Sequence, residues 1–208
     1  MTSATGFAEI PPTTLADLLS REQVMDAGIR PLWPGVPRVA GPAFTVRCPA
    51  GDNLMLHAAI YRAAPGSVIV AESGNDLDYA LAGGNVCAVA QRNGVAAFVL
   101  DGVIRDVAEA RELGFPVFAR GVIPIPGAKS AVTPLQEPVR CGGVTVQPGD
   151  IVVADEEGIV VTPHARAEQV LRDARAALAK EASQTLDDWE AAHRARIDKL
   201  LADGGLAG

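Results

Sequence analysis

Two short, almost wholly apolar runs restrict the folds open to this chain more than any other feature: residues 67–71 read SVIVA and residues 95–100 read VAAFVL. Neither alternates apolar with polar side chains, so neither can lie with one face in water. Both are too short for a buried helix, and their valines, isoleucine and phenylalanine favour a pleated strand. Each follows a helix-patterned stretch and a tight turn. Residues 53–63, with Asp52 as cap, lead through Pro65-Gly66 to the first run; residues opened by Gly83-Gly84 and ending at Arg92 lead through Asn93-Gly94 to the second. A short helix at 107–113 then leads to a third strand at 116–119. Helix, turn and buried strand in repeated succession require crossover connections, and so predict an α/β fold with a largely parallel central sheet.

The flanks extend this frame. Residues 13–25 have helical periodicity with Thr13 or Thr14 available as cap, and residues 38–48 are rich in strand formers. Beyond Gly121, residues 142–161 give short β-runs separated by Pro148-Gly149 and by residues 155–158, the punctuation of a β-meander. From His164 the pattern is helical, broken at 183–185, where Thr185 can cap a last helix carrying Leu186, Trp189, His193, Ile197 and Leu200 at three- and four-residue steps. The chain therefore divides into a domain over 1–162 and a helical extension over 163–208. The apolar stripe of the extension needs a cover, either its own domain or another subunit.

The residue inventory excludes several function classes. With 208 residues, 49% hydrophobic and 21% charged, the chain can build one good-sized core. A net charge of −7 argues against a broad surface for nucleic acid or anionic lipid. No apolar run approaches the roughly 18 residues of a membrane span, and residues 1–15 lack the basic and apolar regions of a secretory leader, so a cytoplasmic protein is expected. Cys48, Cys87 and Cys141 form no CxxC and read as buried small hydrophobes. His57, His164 and His193 show no zinc-binding spacing. Of the three lysines, Lys129, Lys180 and Lys199, the last two sit in charged helical sequence, which disfavours Schiff-base chemistry. No phosphate-binding glycine loop and no GxSxG follow a strand. Carboxylates, arginine and backbone N–H groups are what remain.

In an open parallel sheet, ligands bind beyond the carboxyl ends of the strands, here the loops after Ala71 and after Leu100. The first holds Gly83-Gly84-Asn85-Val86 at a helix N-terminus, where free N–H groups can hold a carboxylate. The second holds Asp101 through Asp106, in which Arg105 can grip an anion while an adjacent carboxylate faces a cation. A keto acid and Mg²⁺ suit such a site. Spacing alone also allows a structural account: Asp106 and Glu109 have the separation of a capping box, Arg105 can pair with Glu109, Asp101 can close an Asx turn, and Gly83-Gly84 can be a plain turn.

Gly84, twenty residues, then Arg105-Asp106-Val-Ala-Glu109 resembles the G-x20-R-D-x2-E/D signature of the metal-dependent 4-hydroxy-4-methyl-2-oxoglutarate aldolases and their RraA-like relatives. Gly51-Asp-Asn-Leu, Ala64-Pro-Gly, Gly114-Phe-Pro-Val-Phe-Ala-Arg-Gly and Cys141-Gly-Gly-Val-Thr-Val-x-Pro-Gly-Asp are similar too, from about Thr13 to Thr162. The resemblance implies an α/β/β sandwich assembled as a homotrimer or homohexamer, with the active site between subunits. It implies that Asp106 holds Mg²⁺ or Mn²⁺, that Arg105 binds the pyruvyl group, that Gly83, Gly84, Asn85 and Val86 line the substrate carboxylate, and that Asp101 and Glu109 support them. Glu181, from a neighbouring subunit, is the best match for a further catalytic carboxylate. The position of Asn85 is often acidic in the family, which leaves the proton-transfer group unassigned.

The activity implied is class II retro-aldol cleavage of a 4-hydroxy-2-oxo acid to pyruvate and a second oxo acid, with oxaloacetate decarboxylation as a side activity through the same enolate. The alternative the resemblance carries is a non-catalytic regulator that binds ribonuclease E. The helical extension, absent from short regulators, favours the enzyme.

Overall fold

In a computed structural model, which describes residues 4–205, the succession of apolar runs becomes one large mixed sheet. Its strands are β1 (Arg30–Pro31), β2 (Val39–Arg47), β3 (Val68–Glu72), β4 (Ala80–Ala82), β5 (Ala97–Ile104) and β6 (Val117–Val122), completed by β9 and β10 described below. β2, β3, β5 and β6 run parallel, and β4 adds in parallel to the far end of β5. The apolar runs at 67–71 and 95–100 pair with each other, Val70 opposite Val99, and apart from the half-buried Ala96 are buried at the centre. Helix α1 (Pro12–Leu18) precedes the sheet, and α2 (Leu54–Ala59), α3 (Gly84–Arg92) and α4 (Val107–Leu113) supply the crossovers. This is the α/β/β architecture expected.

Three differences have identifiable causes. The helix expected over 13–25 stops at Leu18, because Ser20 forms its own hydrogen-bonded turn with Gln23, its backbone N–H and hydroxyl both reaching the Gln23 amide oxygen. β5 runs on through Asp101 to Ile104, with all eight residues buried, since β6 and β4 flank it there; only Arg105 and Asp106 form the turn. The residues expected to form one meander divide between two sheets. β7 (Val139–Cys141) and β8 (Val144–Val146) make a separate hairpin, whereas β9 (Ile151–Asp155) pairs antiparallel with β2 and then with β10 (Gly158–Thr162). The Pro148-Gly149 turn causes the division: the Ala43 N–H donates to the Asp150 carbonyl at 2.7 Å and the Gly149 N–H to the Ala43 carbonyl at 2.9 Å, which delivers β9 to the edge of β2.

The expected division at 162/163 does not follow the packing. α5 (Ala167–Ala182) buries Ala167, Val170 and Ala174 against Phe7, Ile10, Leu15 and the outer face of β9 and β10, a second apolar cluster behind the main sheet. α6 (Leu186–Asp203) buries nothing. Thr185 caps it, accepting from the Asp188 N–H at 3.1 Å, and Leu186, Trp189, Ile197 and Leu200 stand exposed. Trp189 stacks on His193 with ring centroids 4.5 Å apart. The three cysteines are buried, as expected; burial pushes the Cys48 and Cys87 thiols up to about 12 and Cys141 higher than its ordinary value, so none is a nucleophile at neutral pH.

Candidate active site

At the carboxyl end of β4 and β5, the chain brings two expected segments together. The Arg105 N–H donates to the Ala82 carbonyl at 2.9 Å, fastening the turn after β5 to the start of α3. Asp106 then occupies the first position before α4 with φ +55° and ψ +41°, the left-handed region that aspartate tolerates better than most residues. Its side chain does not cap α4, and so the capping-box reading fails. Asp106 Oδ2 instead accepts the Gly84 N–H at 3.2 Å and lies 3.3 Å from Arg105 Nε. Local strain at this residue thus aims its carboxylate at the amino end of α3.

Gly83 and Gly84 are needed for space rather than for an unusual backbone. A Cβ on Gly83 would come within 2.5 Å of Asp106 Oδ2, and one on Gly84 would collide with the Glu109 carboxylate. The Glu109 side chain thus lies against Gly84. The Gly84 amide, expected to hold substrate, is taken by Asp106, which leaves the first-turn N–H groups of Asn85 and Val86 for a ligand anion. Arg105 bonds through Nε alone among the described residues, so its outer Nη edge faces open space. This ion pair is about one-third exposed and adds little to stability; its value lies in placement.

Gly83, Asn85, Val86, Arg105 and Asp106 line one cleft. The opposite wall holds three residues that spacing did not single out: Asn53 and His57, one turn apart at the start of α2, and Lys129 from the segment after β6. Asp52 holds that wall together. Its Oδ1 accepts the Leu54 N–H at 2.9 Å, and its Oδ2 accepts from the Ser130 N–H, Ser130 hydroxyl and Ala131 N–H at 2.7, 2.8 and 3.1 Å. Asn53 Nδ2 donates to the Ala80 carbonyl at 3.0 Å, whereas its buried Oδ1 has no partner. Burial first and the Lys129 ammonium second lower the pKa of His57 against a smaller opposing effect of the Leu81 backbone, keeping the imidazole neutral at pH 7. The signal for these residues was present in Gly51-Asp-Asn-Leu and in the one lysine outside charged helical sequence.

Two expected site residues lie elsewhere. Asp101 is buried in β5, ion-paired with Arg120 Nε, and its Oδ2 accepts the Gly142 N–H at 2.8 Å. Arg120 also grips both oxygens of Asp26 at 3.0 Å. Asp101 therefore ties the β7–β8 hairpin to the sheet and lines a different cleft, with Glu72 and Arg140. Glu181 is exposed near the end of α5, beside Leu186 and Trp189, outside the Arg105 cleft of its own chain.

Among the described residues no three His, Cys, Asp or Glu side chains form a group that could hold a metal ion, which excludes a closed cage there of the zinc type. One carboxylate facing open space fits a hard divalent cation that keeps most of its waters, as Mg²⁺ does. Asp106 Oδ1, with no hydrogen bond among the described residues, is the oxygen available for it. No helix among the described residues is long and apolar enough to cross a membrane.

Comparison with known proteins agrees with the geometry. The RraA-like family profile, Aldolase/RraA, matches residues 12–161. A protein of Halalkalibacterium halodurans, named provisionally as a 4-hydroxy-4-methyl-2-oxoglutarate aldolase, is 37% identical over 95% of this chain and 94% of its own. Among solved structures, Streptomyces coelicolor RraAS2, described as an unusual member of the RNase ES inhibitor RraA family, superposes with a TM-score of 0.73 at 29% identity, covering 93% of this chain and 96% of its own. The RNA-processing inhibitor RraA of Thermus thermophilis superposes at 0.68 with 30% identity, covering 74% and 93%. Matched along so much of its length by profile and relative, the chain belongs to the Aldolase/RraA family.

Proposed function

We propose that the protein is a divalent-metal-dependent aldolase that cleaves a 4-hydroxy-2-oxo acid between C3 and C4, releasing pyruvate and a second oxo compound. The observation that carries this reading is the placement of the Arg105 guanidinium, the Asp106 carboxylate and the α3 N-terminus in one cleft. The Asn85 and Val86 N–H groups and the Nη edge of Arg105 bind the substrate carboxylate and 2-oxo group. A Mg²⁺ or Mn²⁺ ion held by Asp106 supplies Lewis-acid polarisation of that oxo group. Arg105 stabilises the negative charge that appears on the C2 oxygen as C3–C4 breaks. Oxaloacetate loses CO₂ through the same charge distribution, so its decarboxylation is a side activity of the same residues.

Glu181 lies too exposed to serve its own chain's cleft, and the uncovered stripe on α6 beside it fits burial against a second copy in a homotrimer or homohexamer. In that arrangement Glu181 completes a neighbour's site. The test is pyruvate release from a panel of 4-hydroxy-2-oxo acids. Turnover should vanish with EDTA and return with Mg²⁺ or Mn²⁺; undiminished turnover without metal refutes the reading.

A second reading is favoured by the likeness to the Streptomyces coelicolor and Thermus thermophilis RraA proteins: a non-catalytic regulator that binds a ribonuclease of the E type. Coverage of 93% of this chain by the former reaches into the helical extension, so the extension does not separate the two readings. A chain inert on every acid in the panel that binds ribonuclease E in solution would support the regulator.

A further inference from the structure

Aldol cleavage as proposed above needs an acceptor for the C4 hydroxyl proton, and the cleft narrows the choice by chemistry. Arg105 and Lys129 are cations at neutral pH with no lone pair to offer. The Asn85 amide is not basic. Asp106 Oδ2 serves Gly84 and Arg105, and its Oδ1 is the oxygen proposed above to hold the metal. The remaining lining group with a basic lone pair is His57.

We propose that His57 is the catalytic base of this cleft, taking the substrate's C4 hydroxyl proton. The inference rests on the aldolase reading of the site. His57 stands on α2, one turn after its N-cap Asn53, and lines the same cleft as Arg105 and Asp106. Asn53 gives independent support. Its side chain is buried, its Nδ2 is committed to the Ala80 carbonyl, and its Oδ1 lacks any donor. A buried, unpaired acceptor is costly, and one in the lining of the cleft that His57 also lines marks this part of the cleft as one that meets the polar groups of a ligand.

The charged groups around His57 keep it in the acceptor form. Lys129 from the segment after β6 and Arg105 and Asp106 from the turn after β5 line the cleft with it, and Asp52, two residues before α2, has its carboxylate fully engaged by Leu54, Ser130 and Ala131. Burial and Lys129 hold the ring neutral at pH 7. In the reaction, a ring nitrogen takes the hydroxyl proton, the O–H pair becomes the new C4–O π bond, the C3–C4 pair becomes the C2–C3 π bond, and the C2–O π pair moves onto the C2 oxygen. The imidazolium then returns its proton to C3, giving pyruvate and neutral His57. No oxidant or other reactant is consumed.

Oxaloacetate decarboxylation has no hydroxyl proton to remove and is the internal control. In His57→Gln, kcat/KM for 4-hydroxy-2-oxoglutarate should fall about 100- to 10,000-fold, at least tenfold more than for oxaloacetate. The acidic limb of the kcat/KM profile, below pH 6.5 in the native protein, should disappear for the hydroxy acid, and added imidazole should restore part of the lost rate. The conservative His57→Asn variant should behave alike. Equal losses on both substrates, or a retained acidic limb, would overturn the assignment while leaving the aldolase reading intact. A native protein that decarboxylates oxaloacetate but cleaves no hydroxy-oxo acid would overturn both.

Discussion

Replacing Asp52 by alanine should destabilise the protein more than any other single polar change near the cleft. The side chain is 5% exposed and accepts four hydrogen bonds, three from backbone N–H groups on two separate segments. A hydrogen bond to a charged acceptor contributes about 1.5–3 kcal/mol. The Ser130 and Ala131 donors lie near the surface, where water replaces part of what is lost, and so the sum is discounted to about 3–5 kcal/mol. In a domain of this size that lowers Tm by roughly 6–20 °C. Asp52→Asn, which keeps one acceptor oxygen, should lose about half as much. Urea unfolding at constant m-value measures both.

The same carboxylate makes the loss depend on pH. Burial raises the Asp52 pKa, but the hydrogen bonds from Leu54, Ser130 and Ala131 outweigh it and leave the pKa below the ordinary 3.8. A carboxyl with a lower pKa folded than unfolded contributes stability that is fully present above the unfolded value and lost as pH falls through the folded one. The gap between native and Asp52→Ala protein should therefore be constant above about pH 5 and shrink steadily below 3.8. A gap under about 1 kcal/mol at pH 7, or one equally large at pH 2.5, would refute the reasoning.

Three further outcomes follow from the site and the tail. Gly84→Ala should cost about 1–3 kcal/mol because its Cβ meets the Glu109 side chain, and Glu109→Ala in the same chain should recover only part of it in a double-mutant unfolding cycle, since the Glu109 Cβ, 2.9 Å from the new methyl, remains. Asp106→Asn should abolish metal-dependent turnover and divalent-ion binding by calorimetry while changing stability by less than about 1 kcal/mol, since asparagine also accepts the left-handed backbone. Truncation after Ser183 should keep Tm within a few degrees and lower the oligomer order seen by sedimentation, because α6 buries nothing in its own chain, whereas truncation after Pro163 should unfold the protein by removing Ala167, Val170 and Ala174 from the core.

Much of the fold is written in local pattern. The buried strands at 67–71 and 95–100, α4 over the expected seven residues and the cap at Thr185 all depend on apolar runs, turn residues and caps within a few positions of each other. What was not legible depends on distant partners. Asp101 reads as a loop residue because a charge inside a strand is costly, and only Arg120, nineteen positions later, and the Gly142 amide make its burial tolerable. The pairing of β9 with β2 rather than β8 is decided by the hydrogen bonds of Ala43 with Gly149 and Asp150, more than a hundred residues apart in the chain.

The site divides along the same line. The spacing of Gly84, Arg105, Asp106 and Glu109 is one mechanical unit. β5 returns the chain beside β4, so the turn after β5 lies against the amino end of α3, and the absence of a side chain at Gly84 lets the Glu109 carboxylate close there while the Gly84 N–H fixes Asp106. Substituting any one of these residues disturbs the other three, and that mutual dependence is why so few positions announce the site in sequence. The facing wall has no such rigid spacing. Asn53 and His57 reach the cleft only because α2 begins at Leu54, and Lys129 only because Asp52 draws residues 130 and 131 onto that helix. One half of the cleft is built by local geometry and the other by a single buried carboxylate, so loss of Asp52 should loosen Lys129 and His57 while leaving the Arg105–Asp106 pair in place.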